Sequence, residues 1–279
     1  MTAAALGLVT EFDDPAAAVI KHTNPAGAAV ADSVAAAYER ALATDPKSAF
    51  GGIVALNREC DRATAERIVD SFKEVVVAPG YTEAALETLA ETETLRTLDV
   101  GDLGAGGVRT AFEGGDPAEA FVETPITGGR LVQERDRQRL APDDLEVVTE
   151  REPTEAQVES MLFAWQTIKH VKSNAIVYAT GTETVGVGMG QVSRVDAVRL
   201  AGMKAEKDAE GKSADGAVMA SDAFFPFPDG VEVAADHGIE AVIQPGGSIR
   251  DEAVTDAADE LGLAMVHAGQ RAFRHDRAG

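Results

Sequence analysis

The chain reads as an α/β protein with a mostly parallel sheet, and three observations predict it. Short apolar runs, too short for helices, alternate with amphipathic segments of helical period. Gly, Pro, Asn and Asp mark many of their ends, as turns require. A hydrophobic content of 45% over 279 residues supplies a core large enough for layered packing.

In chain order, the run 18–21 is a buried strand that ends in Lys21-His22, and Asn24-Pro25 with Gly27 reads as the turn that follows. Residues 33–43 carry a helical pattern. Strands follow at 53–56 and 75–78, with helices at 63–72 and 83–90. Residues 101–118 are rich in Gly and Asp and read as a loop. The polar stretch 140–153 contains Pro142 and Pro153 and reads as a linker. The chain therefore divides near 150, into 1–150 and 151–279. In the helix 155–169, Val158, Met161, Leu162, Trp165 and Ile168 form one apolar stripe, which reads as core. Strands at 176–179, 185–188, 217–220, 241–243 and 264–266 alternate with helices at 195–204 and 252–261. No sequence repeat relates the two halves.

Composition excludes several functions. No apolar run approaches a membrane span, and the N-terminus lacks the basic flank of a signal peptide. A single cysteine excludes an internal disulfide framework and any multi-cysteine metal site. A cytoplasmic location is the resulting expectation. Acidic residues number 47 against 25 basic ones, a net charge of −22, so no basic stripe is available for nucleic acid. The acids are spread through amphipathic segments, which reads as a solvated surface, either halophilic and in need of salt to screen its self-repulsion or that of an unusually acidic protein of an ordinary cytoplasm.

Five segments carry candidate chemistry. Lys21-His22 places a fixed cation and a proton-carrying group at a strand's carboxyl end, where open α/β sheets bind ligands. Taken alone it reads more readily as a capped strand with a satisfied His and a solvated Lys, and the other motifs reverse that balance. Lys172-Ser173-Asn174 precedes another strand. The Gly-rich run 186–194 enters a helix at Arg194, and helix-start amides with a planar guanidinium suit carboxylate or phosphate. Its spacing matches neither a Walker loop nor a dinucleotide motif. The segment Ser221-Asp222-Ala223-Phe224-Phe225-Pro226-Phe227-Pro228-Asp229 offers aromatics that either stack on a flat heterocycle or plug the sheet end. Finally, 266–275 closes an acidic chain with His267, Arg271, Arg274 and His275, either an anion site or a frayed tail.

Taken together and in order, Lys21–Gly27, 48–55, 77–81, 172–177, Gly186–Arg194, Ser221–Asp229 and 271–275 resemble the AICAR transformylase family, the formyltransferase half of the bifunctional purine-biosynthesis enzyme whose other half is IMP cyclohydrolase. The resemblance spans nearly the whole chain. It implies two cytidine-deaminase-like α/β units without zinc, one in 1–150 and one in 151–279. The zinc signature His-x-Glu with Pro-Cys-x-x-Cys is absent from this sequence. It also implies a homodimer, with AICAR and 10-formyltetrahydrofolate as small-molecule substrates and no metal in the chemistry. The expected reaction is formyl transfer from the folate to the 5-amino group of AICAR, giving FAICAR.

By that resemblance Lys21, His22 and Asn174 are the catalytic candidates. His22 is the proton acceptor, Lys21 stabilises charge or delivers the leaving-group proton, and Asn174 donates to the oxyanion. Asn24, Arg194, Phe224, Pro226, Asp229, Arg271 and His275 are the substrate-binding candidates. The family's Arg-Tyr-Gly-x-Asn-Pro-His-Gln segment and the cyclohydrolase half do not occur here, so the resemblance implies either a split or truncated form, with a companion chain carrying the missing segment or the cyclohydrolase, or a degenerate remnant. The rival expectation is a non-catalytic nucleotide- or folate-binding subunit of a split transformylase.

Overall fold

The computed structural model describes residues 1–101, 121–134 and 136–272, so nearly all of the 101–118 loop and His275 lie outside the described residues. Helix α1 (Thr2–Val9) leads into the hairpin of β1 (Ala16–Lys21) and β2 (Asn24–Val30). Then come α2 (Val34–Leu42), the short α3 (Pro46–Ala49), β3 (Gly52–Leu56), α4 (Arg62–Val69), β4 (Lys73–Ala78), α5 (Glu83–Ala90) and β5 (Arg96–Asp99). A separate hairpin, β6 (Phe121–Ile126) and β7 (Gly129–Glu134), precedes β8 (Glu146–Val147). The remaining elements are α6 (Glu155–Ile168), the hairpin β9 (Ile176–Thr180) and β10 (Glu183–Gly188), α7 (Arg194–Lys207), β11 (Val218–Ser221), α8 (Asp229–Asp236), β12 (Ala241–Gln244), α9 (Asp251–Glu260) and β13 (Ala264–His267).

One eleven-stranded sheet runs β5-β4-β3-β1-β2-β10-β9-β11-β12-β13-β8. The parallel pairing expected from strand–helix alternation occupies both wings, β3-β4-β5 and β11-β12-β13. The middle is antiparallel, because each half starts with a hairpin and the two hairpins meet at β2 and β10. Helices α1 and α6 cover one face in a cluster that crosses both halves and buries Leu8, Phe163, Trp165 and Ile168. Met161, Trp165 and Ile168 of the expected stripe are therefore core, while Val158 and Leu162 are half-buried. On the other face α2, α4 and α5 pack on the first half, and α7, α8 and α9 on the second.

The halves repeat one topology in matching register. Val19 faces Gly27 and Ile20 faces Pro25, leaving Ala26 as a bulge; Tyr178 faces Gly186 and Ala179 faces Thr184, leaving Val185 as a bulge. Leu56 pairs with Ala17 as Ser221 pairs with Ile176. Asn57 N donates to Ala16 O at 3.2 Å and Asp222 N to Ala175 O at 3.3 Å. The two glycines have one job: a Cβ on Gly27 would lie 2.0 Å from Ala41 O of α2, and one on Gly186 would lie 2.3 Å from Ala201 O of α7. Close helix packing, not turn geometry, thus demands Gly27. The expectation of a turn at Asn24–Gly27 is corrected: those residues begin β2, and the turn is His22-Thr23. Gly188 likewise sits in β10, with its Cβ position 1.9 Å from Ala197 O, so that glycine serves helix packing rather than an anion cradle.

Thr184 joins the halves. Its hydroxyl accepts from Ala28 N at 3.0 Å and donates to Ala28 O at 3.1 Å, while Thr44 Oγ1 and Lys212 Nζ each donate to its carbonyl at 2.8 Å. No helix among the described residues is long and apolar enough to cross a membrane.

Candidate active site

Because β2 and β10 are antiparallel, the Lys21–Asn24 end of the first hairpin shares a sheet edge with the carboxyl ends of β10, β11, β12 and β13. The candidate residues gather along that edge. Lys21 closes β1, and its ammonium donates to the carbonyls of Phe50 at 2.9 Å and Gly51 at 3.0 Å, which leaves one N–H free of those two bonds. His22 is exposed at a two-residue turn in which both His22 (φ 48°) and Thr23 (φ 72°) are left-handed. That geometry favours Asn or Gly and costs ordinary residues roughly 1–2 kcal/mol each. The equivalent turn of the second half uses Gly181 (φ 54°) at the His22 position. The first half thus holds a histidine in a left-handed conformation where the second half has glycine.

Hydrogen bonds thread the other candidates together. Asn24 Oδ1 accepts from Lys172 N at 2.9 Å, tying the first hairpin to the 172–174 segment. Asn174 Oδ1 accepts from Arg194 Nη2 at 2.7 Å, while its Nδ2 donates to the carbonyls of Gln191 at 3.0 Å and Val192 at 3.2 Å. Both amide hydrogens of Asn174 are thus engaged, and oxyanion donation requires one to be released. Arg194 begins α7. Its Nη1 donates to Ser221 Oγ at 2.9 Å and pairs with Asp222, whose other carboxylate oxygen accepts from Ser173 Oγ. Asp222 is completely buried, so the guanidinium expected to meet a substrate anion already faces one carboxylate.

The aromatic segment lies beyond Asp222. Phe224 lies beneath the Arg271 guanidinium, 4.9 Å from ring centroid to Cζ, and Phe227 lies beneath Arg250 at 4.7 Å. Phe225 is buried and plugs the sheet end; Phe227 and Pro226 are exposed. The two sequence readings of this segment are therefore divided between its residues. Asp229 opens α8, exposed, with Oδ1 accepting from Gly230 N at 2.9 Å. Ala272 N donates to Asp222 O at 3.0 Å, which holds Arg271 beside the loop. Arg271 is exposed and has no carboxylate partner among the described residues.

Asp222 and Ser173 hold this edge together, although no role follows from the sequence for either. An aspartate directly after an apolar strand, where a hydrophobic residue or glycine is ordinary, is the signal that points to Asp222. Among the described residues no group of three or more His, Cys, Asp or Glu is placed to hold a metal ion. The lone Cys60 is buried, and burial pushes its thiol up to about 12.

Residues 2–204 match the family model described as the AICARFT/IMPCHase bienzyme. The chain is 53% identical over 277 residues to the bifunctional purine biosynthesis protein PurH of Magnetococcus marinus, an alignment covering 97% of this chain and 50% of that protein. The chain thus spans about half the length of that curated relative. On both findings, this chain belongs to the AICARFT/IMPCHase bienzyme family.

Proposed function

We propose that this chain catalyses formyl transfer from 10-formyltetrahydrofolate to the 5-amino group of AICAR, giving FAICAR in cytoplasmic purine biosynthesis. The observation that carries the reading is His22, exposed in a left-handed turn beside Lys21 on the edge where the distant motifs meet. Membership in the family and the relative's printed role in purine biosynthesis support it.

The 5-amino nitrogen forms a bond to the formyl carbon, and His22 accepts the proton it gives up, a contribution of about 10²–10⁴ in rate. The N–H of Lys21 left over from Phe50 and Gly51 stabilises charge on the formyl oxygen or protonates the departing N10. Phe224 stacks on a flat ring under Arg271, and Arg271 meets an anionic group of the substrate. Arg194, Asn174 and Asn24 hold these groups in register. His275, the other proposed anion contact, lies outside the described residues.

We also propose that 1–150 and 151–279 are two cytidine-deaminase-like units and that the working form is a homodimer. The repeated strand order supports the first point. The test is direct: purified chain in molar potassium chloride with AICAR and 10-formyltetrahydrofolate, FAICAR being followed by chromatography. FAICAR formation that is lost in His22→Ala is the expected result. AICAR binding without turnover would overturn the reading in favour of a binding subunit.

A further inference from the structure

The carboxyl ends of β12 and β13 hold a polar pair that the chemistry above does not use. Gln244 ends β12 and is completely buried. Its Oε1 accepts from Phe225 N at 3.0 Å, and this settles which end of the amide is oxygen. Its Nε2 faces Met265 Sδ at 3.3 Å and Nε2 of His267 at 3.2 Å. An amide NH₂ only donates, so both facing atoms must accept. The imidazole of His267 therefore carries its lone pair on Nε2 and its proton on Nδ1. The Nδ1 side lies against Gly246, where a Cβ would be 2.5 Å from Nδ1, so only glycine lets the ring sit there. Nδ1 has no acceptor among the described residues, and the ring is half-buried.

We propose that Gln244 is a positioning residue that fixes the tautomer of His267, so that Nδ1–H is presented as a hydrogen-bond donor to an oxygen acceptor of the bound substrate. The same amide seats the Phe224–Phe227 segment through Phe225 N, so loop position and tautomer are set together. For the identity of the substrate this rests on the formyl-transfer reading; the tautomer does not.

Long-range proton–nitrogen spectra of the full chain at pH 7.5, with His267 assigned by its loss in His267→Gln, read the tautomer without any substrate. The expected spectrum has Nδ1 protonated and Nε2 bare. A ring protonated at Nε2 overturns the proposal. Gln244→Glu keeps an acceptor for Phe225 N but presents an oxygen to His267, so it should move the proton to Nε2; an unmoved proton there also overturns it. AICAR and 10-formyltetrahydrofolate, titrated separately by calorimetry, should show about tenfold weaker binding of one of them to Gln244→Glu, the value of one hydrogen bond. In turnover, KM for that substrate should rise about tenfold with kcat within about threefold. Unchanged affinity for both substrates, in a variant whose proton has moved, defeats the presenting role. A chain without formyl-transfer activity but with the expected spectrum defeats the functional reading and leaves the tautomer standing.

Discussion

The two halves of the sheet share a strand order and a register, yet equivalent positions carry different chemistry. At the hairpin tip the first half has His22 and the second Gly181. After the serines at the helix starts, Ser33 and Ser193, the first helical residue is buried Val34 in one half and Arg194 in the other. After the third strand of each half stands Asn57 in one and Asp222 in the other. Asn57 donates to the carbonyls of Phe12 at 3.0 Å and Asp14 at 2.8 Å and accepts from Ala16 N at 2.7 Å, so the connector 10–15 closes that edge with neutral bonds. Asp222 instead holds Arg194 and Ser173. Small residues fix the scaffold in both halves alike, while the residue that follows the third strand is neutral in one half and charged in the other.

The sharpest way to break this comparison is His22→Gly, which makes the first turn resemble the second. Formyl transfer should fall by about 10²–10⁴, while stability rises by about 1 kcal/mol as the left-handed cost is relieved. A rate within tenfold of wild type, or a lower denaturation midpoint, would refute the assignment. Asp222→Ala should cost about 3–5 kcal/mol, because it strands a buried guanidinium. Asn57→Ala at the equivalent position should cost about 1–3 kcal/mol. Urea midpoints showing equal losses would mean that charge does not distinguish the two edges.

The shared scaffold predicts sameness. Gly27→Ala and Gly186→Ala each press a methyl into a helix carbonyl and should each cost about 1–3 kcal/mol. A difference beyond about 1 kcal/mol would break the equivalence. The smallest effect concerns the connector that closes the first edge. Burial raises the Glu11 carboxyl, but the hydrogen bonds and charges of His170 and Lys169 outweigh that and hold it below its usual value. Its contribution is therefore present above the ordinary glutamate value of about 4.3 and is lost as pH falls through the lower folded value. Glu11→Gln should cost about 1–2 kcal/mol at pH 7, with the gap to wild type narrowing as pH is lowered below the ordinary glutamate value of about 4.3; a gap that stays constant on acidification removes the ion pairing.

Much of the layered fold was legible because short continuous apolar runs such as 53–56 mark buried strands and the apolar stripe of 155–169 marks a helix, and the tertiary structure agrees with them. The second strand of the first hairpin was not. Asn24-Pro25-Ala26-Gly27 carries every mark of a turn, and its strand state comes from a bulge and a helix packed 2.0 Å from where a Cβ would be. Helix α1 escaped because its Ala-rich stretch has no polar face. Lys21-His22 at a strand end is chemically conspicuous in the sequence, whereas Asp222, inside a run read for its aromatics, drew no role of its own. The wiring could not be read: that Arg194 answers to Asp222 depends on a helix start and a strand end 28 positions apart meeting at one edge.

The seam at Thr184 has a consequence for synthesis. The partner that covers β2 lies more than 150 residues downstream, so a chain leaving the ribosome waits on the order of 10 s before β10 exists. During that time the first half presents β2 as an open edge strand, a template for pairing with neighbouring nascent chains. Pro25, which lacks an N–H, blunts one end of that edge. Its replacement should show itself less in the finished protein than in the yield of soluble chain.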